Sequence, residues 1–221
     1  MRCKASNFFK DSRLAGENVG QPGDVRQDMI FGDKIMTPRL RLRRITESDL
    51  PLYVAWSNSD LAHGSYLTPD REDEAKGRES IVSGRYWNEI NRVFLIELKN
   101  EQAIGTLRYW LRPERKNWAV MAVKICEPAM RDRGYGTEAQ KYVIIQLFQR
   151  MKVQGVEMYT DINNICQQRC LQKLGFELAE TLNYDDHQVK RVGHLFRLDA
   201  AAFDRNPVYR YHYEEESWPG R

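Results

Sequence analysis

Residues 131–140 read RDRGYGTEAQ, with two glycines one residue apart beside two arginines, directly ahead of a stretch with helical spacing. Glycine tolerates positive φ and lets another molecule come close to the backbone. A glycine pair that opens a helix can aim several N–H groups lacking intrahelical partners at one point, and such a point suits an anion, above all a phosphate. Gly-x-Gly also serves as an ordinary strand-to-helix turn, so the neighbouring sequence has to decide. Val120 to Ile125 is an apolar strand pattern, Pro128 ends it, and Thr137-Glu138-Ala139 starts a helix carrying Tyr142, Ile145 and Phe148 at helical spacing. Strand, basic glycine turn and helix in that order favour a phosphate site.

The other residues with chemical potential are scattered. Cys3, Cys126, Cys166 and Cys170 are too sparse for a disulfide framework, which makes reduced thiols the expectation. Cys166 and Cys170 would share a helix face one turn apart, but no second cysteine pair or His-x-x-x-His accompanies them, and buried thiols behave as small hydrophobes. His63, His187, His194 and His212 are likewise isolated, so no metal is expected.

These residues must be held by a fold, and the chain is long enough for one. Its 221 residues mix both charge signs and suit a single globular domain with appendages. The net charge of +3 is small and no long Lys/Arg block is interleaved with aromatics, which gives a nucleic-acid partner no support. A modest basic bias does suit a phosphorylated cofactor. No apolar run approaches the ~20 residues a membrane helix needs, and the N-terminus has no apolar signal region; a cytoplasmic setting without membrane contact is expected.

Residues 1–36 carry no sustained period and read as a partly mobile extension. Arg39 to Arg43 alternates like a half-buried strand, and Thr46 to Asp49 offers a cap for a helix bearing Leu50, Leu52, Val54 and Trp56. A second helix is expected from about Asp70 to Ile90. Strands follow at Val93–Leu98, Ala103–Trp110 and Trp118–Cys126, the last two joined by a polar turn that suggests an antiparallel meander. After the glycine turn and its helix come a strand at Val156–Ile162, a helix at Asn164–Leu174 ended by Gly175, and two strands flanking Tyr184 to Gln188. Ala200 to Asp204 reads as a last helical turn. The order predicts a mixed α/β fold around one sheet, with a domain over 37–205 and a tail over 206–221.

With this order in place, the motifs Arg131-x-x-Gly134-x-Gly136 and LQKLGFEL (Leu171 to Leu178) resemble the GNAT superfamily of acyl-CoA-dependent N-acyltransferases. TPRLRLRRITESDL, Thr37 to Leu50, is similar to the branch of ribosomal-protein N-terminal and spermidine acetyltransferases. The resemblance covers about Pro38 to Asp204. It implies a single central, mostly antiparallel sheet flanked by helices, with acetyl-CoA as co-substrate. It also implies that the loop Arg131, Asp132, Arg133, Gly134, Tyr135 and Gly136, with the Thr137 hydroxyl, wraps the pyrophosphate. Val123, Ile125 and Cys126 would pair with the pantetheine arm, leaving one N–H for the thioester oxygen. Asn164 and Lys173 would contact the cofactor from the facing side, although Asn164 also reads as a plain N-cap.

The sequence departs from the resembled pattern where protons move. The position that often holds a glutamate base is Met121, the one that often holds a tyrosine acid is Leu171, and Gln167 stands where the branch has serine. Substitute groups are Glu97, Tyr109, Glu127, Tyr159, Asp161 and His194, each also readable as structural; water relays are the alternative. The resemblance implies acetyl transfer to a primary amine, either a small molecule or a protein N-terminus, with a homodimer left open. Acceptor groups are expected from Trp56–Pro69 and from Tyr184–Gln188, whose Asp185 and Asp186 suit a cationic amine or are simply solvated. A non-catalytic acyl-CoA sensor is the rival reading. A nucleotide phosphotransferase is weaker, because no Gly-x-x-x-x-Gly-Lys is present.

Overall fold

The alternating LRLRR stretch becomes a sheet strand whose Leu40 and Leu42 are wholly buried while Arg41 and Arg43 lie on the other face. The computed structural model in which this is seen describes residues 34–112, 114–115, 117–186 and 189–210. Expectations for residues 1–33 and 211–221, and for His187 and Gln188, lie outside the described residues. The strands are β1 (Lys34–Met36), β2 (Leu40–Arg44), β3 (Asn91–Leu98), β4 (Ala103–Leu111), β5 (Trp118–Ile125), β6 (Gly155–Asp161), β7 (Glu177–Asp186) and β8 (Val189–Asp199). They form one eight-stranded sheet in the order β1-β2-β3-β4-β5-β6-β8-β7. All neighbours are antiparallel except β5 and β6. The mixed α/β architecture around one sheet is the one the pattern predicts, and its mostly antiparallel pairing is what the resemblance implies.

Helices α1 (Leu50–Ser57), α2 (Asp60–His63) and α3 (Glu74–Val82) precede β3; α4 (Tyr135–Gln149), α5 (Ile165–Lys173) and α6 (Ala200–Arg205) follow β5, β6 and β8. Period 3.6 on α4 buries Ala139, Val143, Ile144, Leu147 and Phe148 against Leu40, Leu42, Phe94, Ile96, Leu107 and Met121 of the sheet. Truncating one of these leucines to alanine removes roughly 2–5 kcal/mol. The opposite face carries a smaller cluster of Trp56, Ala62, Leu95 and Cys126, over which α1 and α2 lie.

Four expectations need correction. The helix expected from Asp70 to Ile90 is only α3: Arg71 has φ 53° and Gly84 φ 71°, and Asp73 caps the start by accepting from the Lys76 N–H. The expected domain start at 37 lies too late, because Lys34–Met36 pair with β2 and Ile35 is buried. The expected end at 205 lies too early, because Tyr209 is buried against Phe203 and its hydroxyl donates 2.7 Å to the Leu174 carbonyl. The expected order places no element between the helix bearing Trp56 and Asp70, yet α2 lies there, capped by Ser59, whose side chain accepts from the Ala62 N–H.

Candidate active site

β5 and β6 run parallel through three pairs, Trp118↔Gly155, Ala119↔Val156 and Val120↔Glu157, and then part. Neither strand frays. β5 stays paired with β4 as far as Gly105↔Ile125, and β6 with β8 as far as Asp161↔Gly193. Gly105 permits this, since a Cβ there would collide with the Lys124 carbonyl oxygen and push β5 away. The Cys126 N–H donates 2.9 Å to the Ile104 carbonyl. Alternation along the strand then turns the N–H groups of Val123 and Ile125 toward the side that β6 has left.

The N-terminus of α4 lies just beyond. Gly134 caps it at φ 78°, a left-handed value that a Cβ would strain, and Asp132 in the same loop has φ 57°. The Glu138 N–H bonds to the Gly134 carbonyl, whereas those of Tyr135, Gly136 and Thr137 take no partner among the described residues. Arg133 is exposed and makes no ion pair among the described residues. Arg39, which the sequence did not single out, completes the loop: its Nε pairs with Glu138 Oε2 at 2.6 Å, its Nη1 donates 3.0 Å to the Arg133 carbonyl, and its guanidinium lies 4.7 Å from the Tyr135 ring centroid. No local pattern could link Arg39 to a helix so distant in sequence.

Four expected cofactor groups are used elsewhere in this structure. Arg131 donates to the carbonyls of Ile125, Leu61 and Ala62 and so fastens α2 to the end of β5. The Thr137 hydroxyl donates 3.1 Å to Cys170 Sγ, in the α4–α5 seam where Gln140 also donates to that sulfur and accepts from Gln167. The Asn164 side chain accepts from the Gln167 N–H, the N-cap role, and Lys173 is exposed in the last turn of α5. Cys126 has its N–H on Ile104, and burial pushes its thiol up to about 12.

The parted strands open into a cavity of about 1170 Å³. Its floor is the sheet face bearing Thr106, Arg108 and Trp110 of β4 and Ala122 and Lys124 of β5. Its walls come from Tyr53 of α1, the segment from His63 to Glu72, Tyr86, and Tyr159 to Asp161 of β6. Tyr184 also lines it, which brings in the expected β7–β8 hairpin. Burial raises the affinity for protons of Tyr53, Tyr86 and Tyr159, and burial followed by the field of Asp70 does the same for Glu72. His63, Lys124 and Asp70 form a contact cluster on this wall that sequence spacing did not reveal.

Of the six proton-transfer candidates, only Tyr159 and Asp161 reach the cavity. Tyr159 accepts 2.6 Å from Arg112 Nη2; Asp161 accepts from the Asn163 N–H and pairs with Arg191 at 3.8 Å. Glu97 is buried between Arg41 at 2.7 Å and Arg43 at 2.7 Å. The buried Tyr109 hydroxyl contacts Met151 Sδ at 3.1 Å, Glu127 accepts 2.8 Å from the Trp56 indole, and His194 Nδ1 lies 2.9 Å from Thr181 Oγ1. These four are held in structural contacts away from the cavity lining. Met121 and Leu171, at the departed positions, are core residues. Among the described residues no cluster of three or more potential metal ligands occurs, and no helix is long and apolar enough to cross a membrane.

Comparison with known proteins now adds to this geometry. Compared by sequence with curated proteins, the chain has no significant match. Spermidine N-acetyltransferase from Vibrio cholerae, solved with CoA and spermine, shares the fold at TM-score 0.65 and 14% identity, over 74% of this chain and 97% of that one. Mycobacterium smegmatis RimJ, solved with CoA-disulfide, superposes at TM-score 0.64 and 17% identity, over 77% and 87%. Aminoglycoside acetyltransferase AAC(6')-Ib, solved with coenzyme A and kanamycin, does so at TM-score 0.63 and 20% identity, over 75% and 98%. Residues 39–177, more than half of the 221, match the family model described as Acetyltransferase (GNAT) domain: the chain belongs to the GNAT family of acyl-CoA-dependent acetyltransferases, with acetyl-CoA as co-substrate.

Proposed function

We propose that the protein is an N-acetyltransferase that transfers the acetyl group of acetyl-CoA to a primary amine, the amine attacking directly while both substrates are bound. The observation that carries this reading is the parting of β5 from β6 beside the N-terminus of α4. The N–H groups of Tyr135, Gly136 and Thr137 suit the pyrophosphate, because they converge at the positive end of a fifteen-residue helix. The N–H groups of Val123 and Ile125 suit an extended amide-bearing arm lying where β6 has withdrawn, as an added strand would. Bound acetyl-CoA supplies an activated acyl group.

The chain's own contribution is then to hold the amine, exclude water and accept its proton. The cavity offers Asp70, Glu72 and Asp161 for a cationic amine and Tyr159 and Asp161 for proton exchange. Spermine and kanamycin, the amines in two of the similar structures, support an amine acceptor of the small-molecule kind; a similar structure described as a putative ribosomal-protein-serine acetyltransferase from Vibrio cholerae supports a protein acceptor. Incubation with acetyl-CoA and a mixed library of amines and peptides, followed by mass spectrometry for an added acetyl group, tests this. A second reading, an acyl-CoA-binding module without turnover, is favoured by the core placement of Met121 and Leu171. It predicts thermal stabilisation by coenzyme A and no acetylated amine in the same library.

A further inference from the structure

Arg108 is half-buried on the cavity floor with no acid paired to it among the described residues. Several other half-buried arginines are paired with acids: Arg41 and Arg43 flank Glu97, and Arg112, Arg115 and Arg197 surround Glu157, whereas Arg131 is taken up by backbone carbonyls and Arg92 lies over the Trp87 ring. Arg108 sits mid-strand on β4, on the cavity floor, in register with the small Ala122 of β5. Its Nε donates 2.7 Å to Asn91 Oδ1, and its guanidinium lies 5.2 Å from the Trp110 ring centroid. Among the described residues nothing takes a hydrogen bond from Nη1 or Nη2, and no carboxylate lies within ion-pairing distance. Burial lowers its affinity for its proton, opposed by the fields of Tyr53, Tyr86, Asp70 and Glu72.

A guanidinium removed from water without a counter-ion is costly, and a planar pair of free Nη groups is the geometry that binds carboxylate or phosphate through two parallel hydrogen bonds. The register partner of Arg108, Ala122, has a small side chain and lines the same cavity. The acids of the cavity, Asp70 and Glu72, suit the opposite charge. We propose that Arg108 anchors an anionic group, carboxylate or phosphate, carried by the amine that this enzyme acetylates. The acceptor is then an amine of mixed charge, not a polyamine. This rests on the acetyl-transfer reading for its substrate, but the anion site itself is testable without turnover.

The test uses the full chain saturated with coenzyme A and matched ligand pairs: α-amino acids against their carboxamides, and glucosamine 6-phosphate against glucosamine, with spermine as a third arm. Binding is read by calorimetry and acetyl transfer is read separately with acetyl-CoA. In at least one pair the anionic member binds about tenfold or more tightly than its neutral partner, the worth of a charge-assisted bidentate contact. Which pair discriminates tells carboxylate from phosphate. Arg108→Met abolishes the discrimination, and Arg108→Lys, which keeps charge without the fork, retains part of it. The proposal is overturned if neither pair discriminates, if spermine outbinds every anionic ligand, or if discrimination survives in Arg108→Met. Should that variant fail to fold, the parent's ligand pairs decide alone. Discrimination without acetylation of any amine keeps the anion site and removes the acetyl-transfer reading, whereas acetylation of neutral amines alone does the reverse.

Discussion

Lys124 Nζ lies 2.8 Å from His63 Nε2, and both face Asp70 Oδ2, at 3.5 Å and 3.4 Å respectively. His63 Nδ1 is 3.0 Å from the Ser59 carbonyl, which can only accept, so Nδ1 carries the hydrogen and Nε2 is left to accept from Lys124. The contact ties β5 to α2 and to the segment bearing Asp70, three walls of one cavity. Replacing Lys124 with Met should cost about 1.5–3 kcal/mol, the range for hydrogen bonds to charged groups, as read by urea denaturation. Turnover should fall in parallel as the wall loosens. Unchanged stability with collapsed turnover would show instead that Lys124 acts on the reacting groups.

The glycine loop allows a cleaner test at Gly136 than at Gly134. Gly134 needs its left-handed φ of 78°, whereas a Cβ at Gly136 would meet only Ile125 Cγ1 at 3.7 Å, an ordinary contact. Gly136→Asp and Gly136→Asn should therefore both fold. Coenzyme A at a hundredfold excess over its dissociation constant stabilises the parent by about 2.7 kcal/mol. The aspartate variant should bind about tenfold more weakly than the asparagine variant, because only the former sets a charge against the pyrophosphate. Equal affinities in the two would remove the phosphate from this helix end.

Much of this site was legible because it depends on short-range patterns. Alternation located β2, short apolar runs bounded by turns located β3 to β6, and a basic glycine turn after an apolar strand marked the start of α4. What was not legible depends on contacts between distant segments. Arg131 matched its motif position, yet its guanidinium is spent on carbonyls of α2, a four-residue helix too short to show periodicity. Thr137 was read as a phosphate ligand, but Cys170 on another helix takes its hydroxyl. Glu97 looked chemical on an apolar strand; Arg41 and Arg43 of the neighbouring strand make it structural. The free Nη groups of Arg108 were invisible for the same reason, since only the fold shows that no acid approaches.

Alkaline stability should report the buried thiol and phenol. Burial pushes Cys126 up to about 12 from 9.0 and Tyr109 up to about 12 from 10.0. Both groups are neutral when protonated, so the folded state holds these protons more tightly than the unfolded chain. Their stabilising contribution is complete below pH 9 and is lost as pH rises through 9 to 12. Melting temperature should therefore fall over that window, less steeply in Cys126→Ala and Tyr109→Phe than in the parent. Near pH 8, iodoacetamide should alkylate the exposed Cys166 well before the buried Cys126 and Cys170. A parent curve that stays flat to pH 12, or equal labelling of Cys126, Cys166 and Cys170, would contradict the burial argument.

The proton-transfer candidates should separate into architectural and chemical groups. Glu97→Ala leaves two arginines without their shared carboxylate and should cost roughly 3–5 kcal/mol of stability, with turnover lost only as folding is lost. Glu127→Ala removes the acceptor of the Trp56 indole and should cost about 1 kcal/mol. His194→Ala lies outside the cavity lining and should leave kcat near the parent value. Tyr159→Phe and Asp161→Asn are the two that bear on chemistry. If desolvation and positioning carry the reaction, each lowers kcat by less than roughly a hundredfold, the low end of what a positioned acid or base contributes. The rate then climbs with pH as the acceptor amine loses its proton, toward ~8 for an N-terminus or ~10 for a lysine-like amine. Measuring the pH–rate profile of each variant decides, once calorimetry has shown coenzyme A affinity intact. A loss of several orders of magnitude in one of these two, together with disappearance of a titration seen in the parent, would identify that side chain as the base and exclude a water relay.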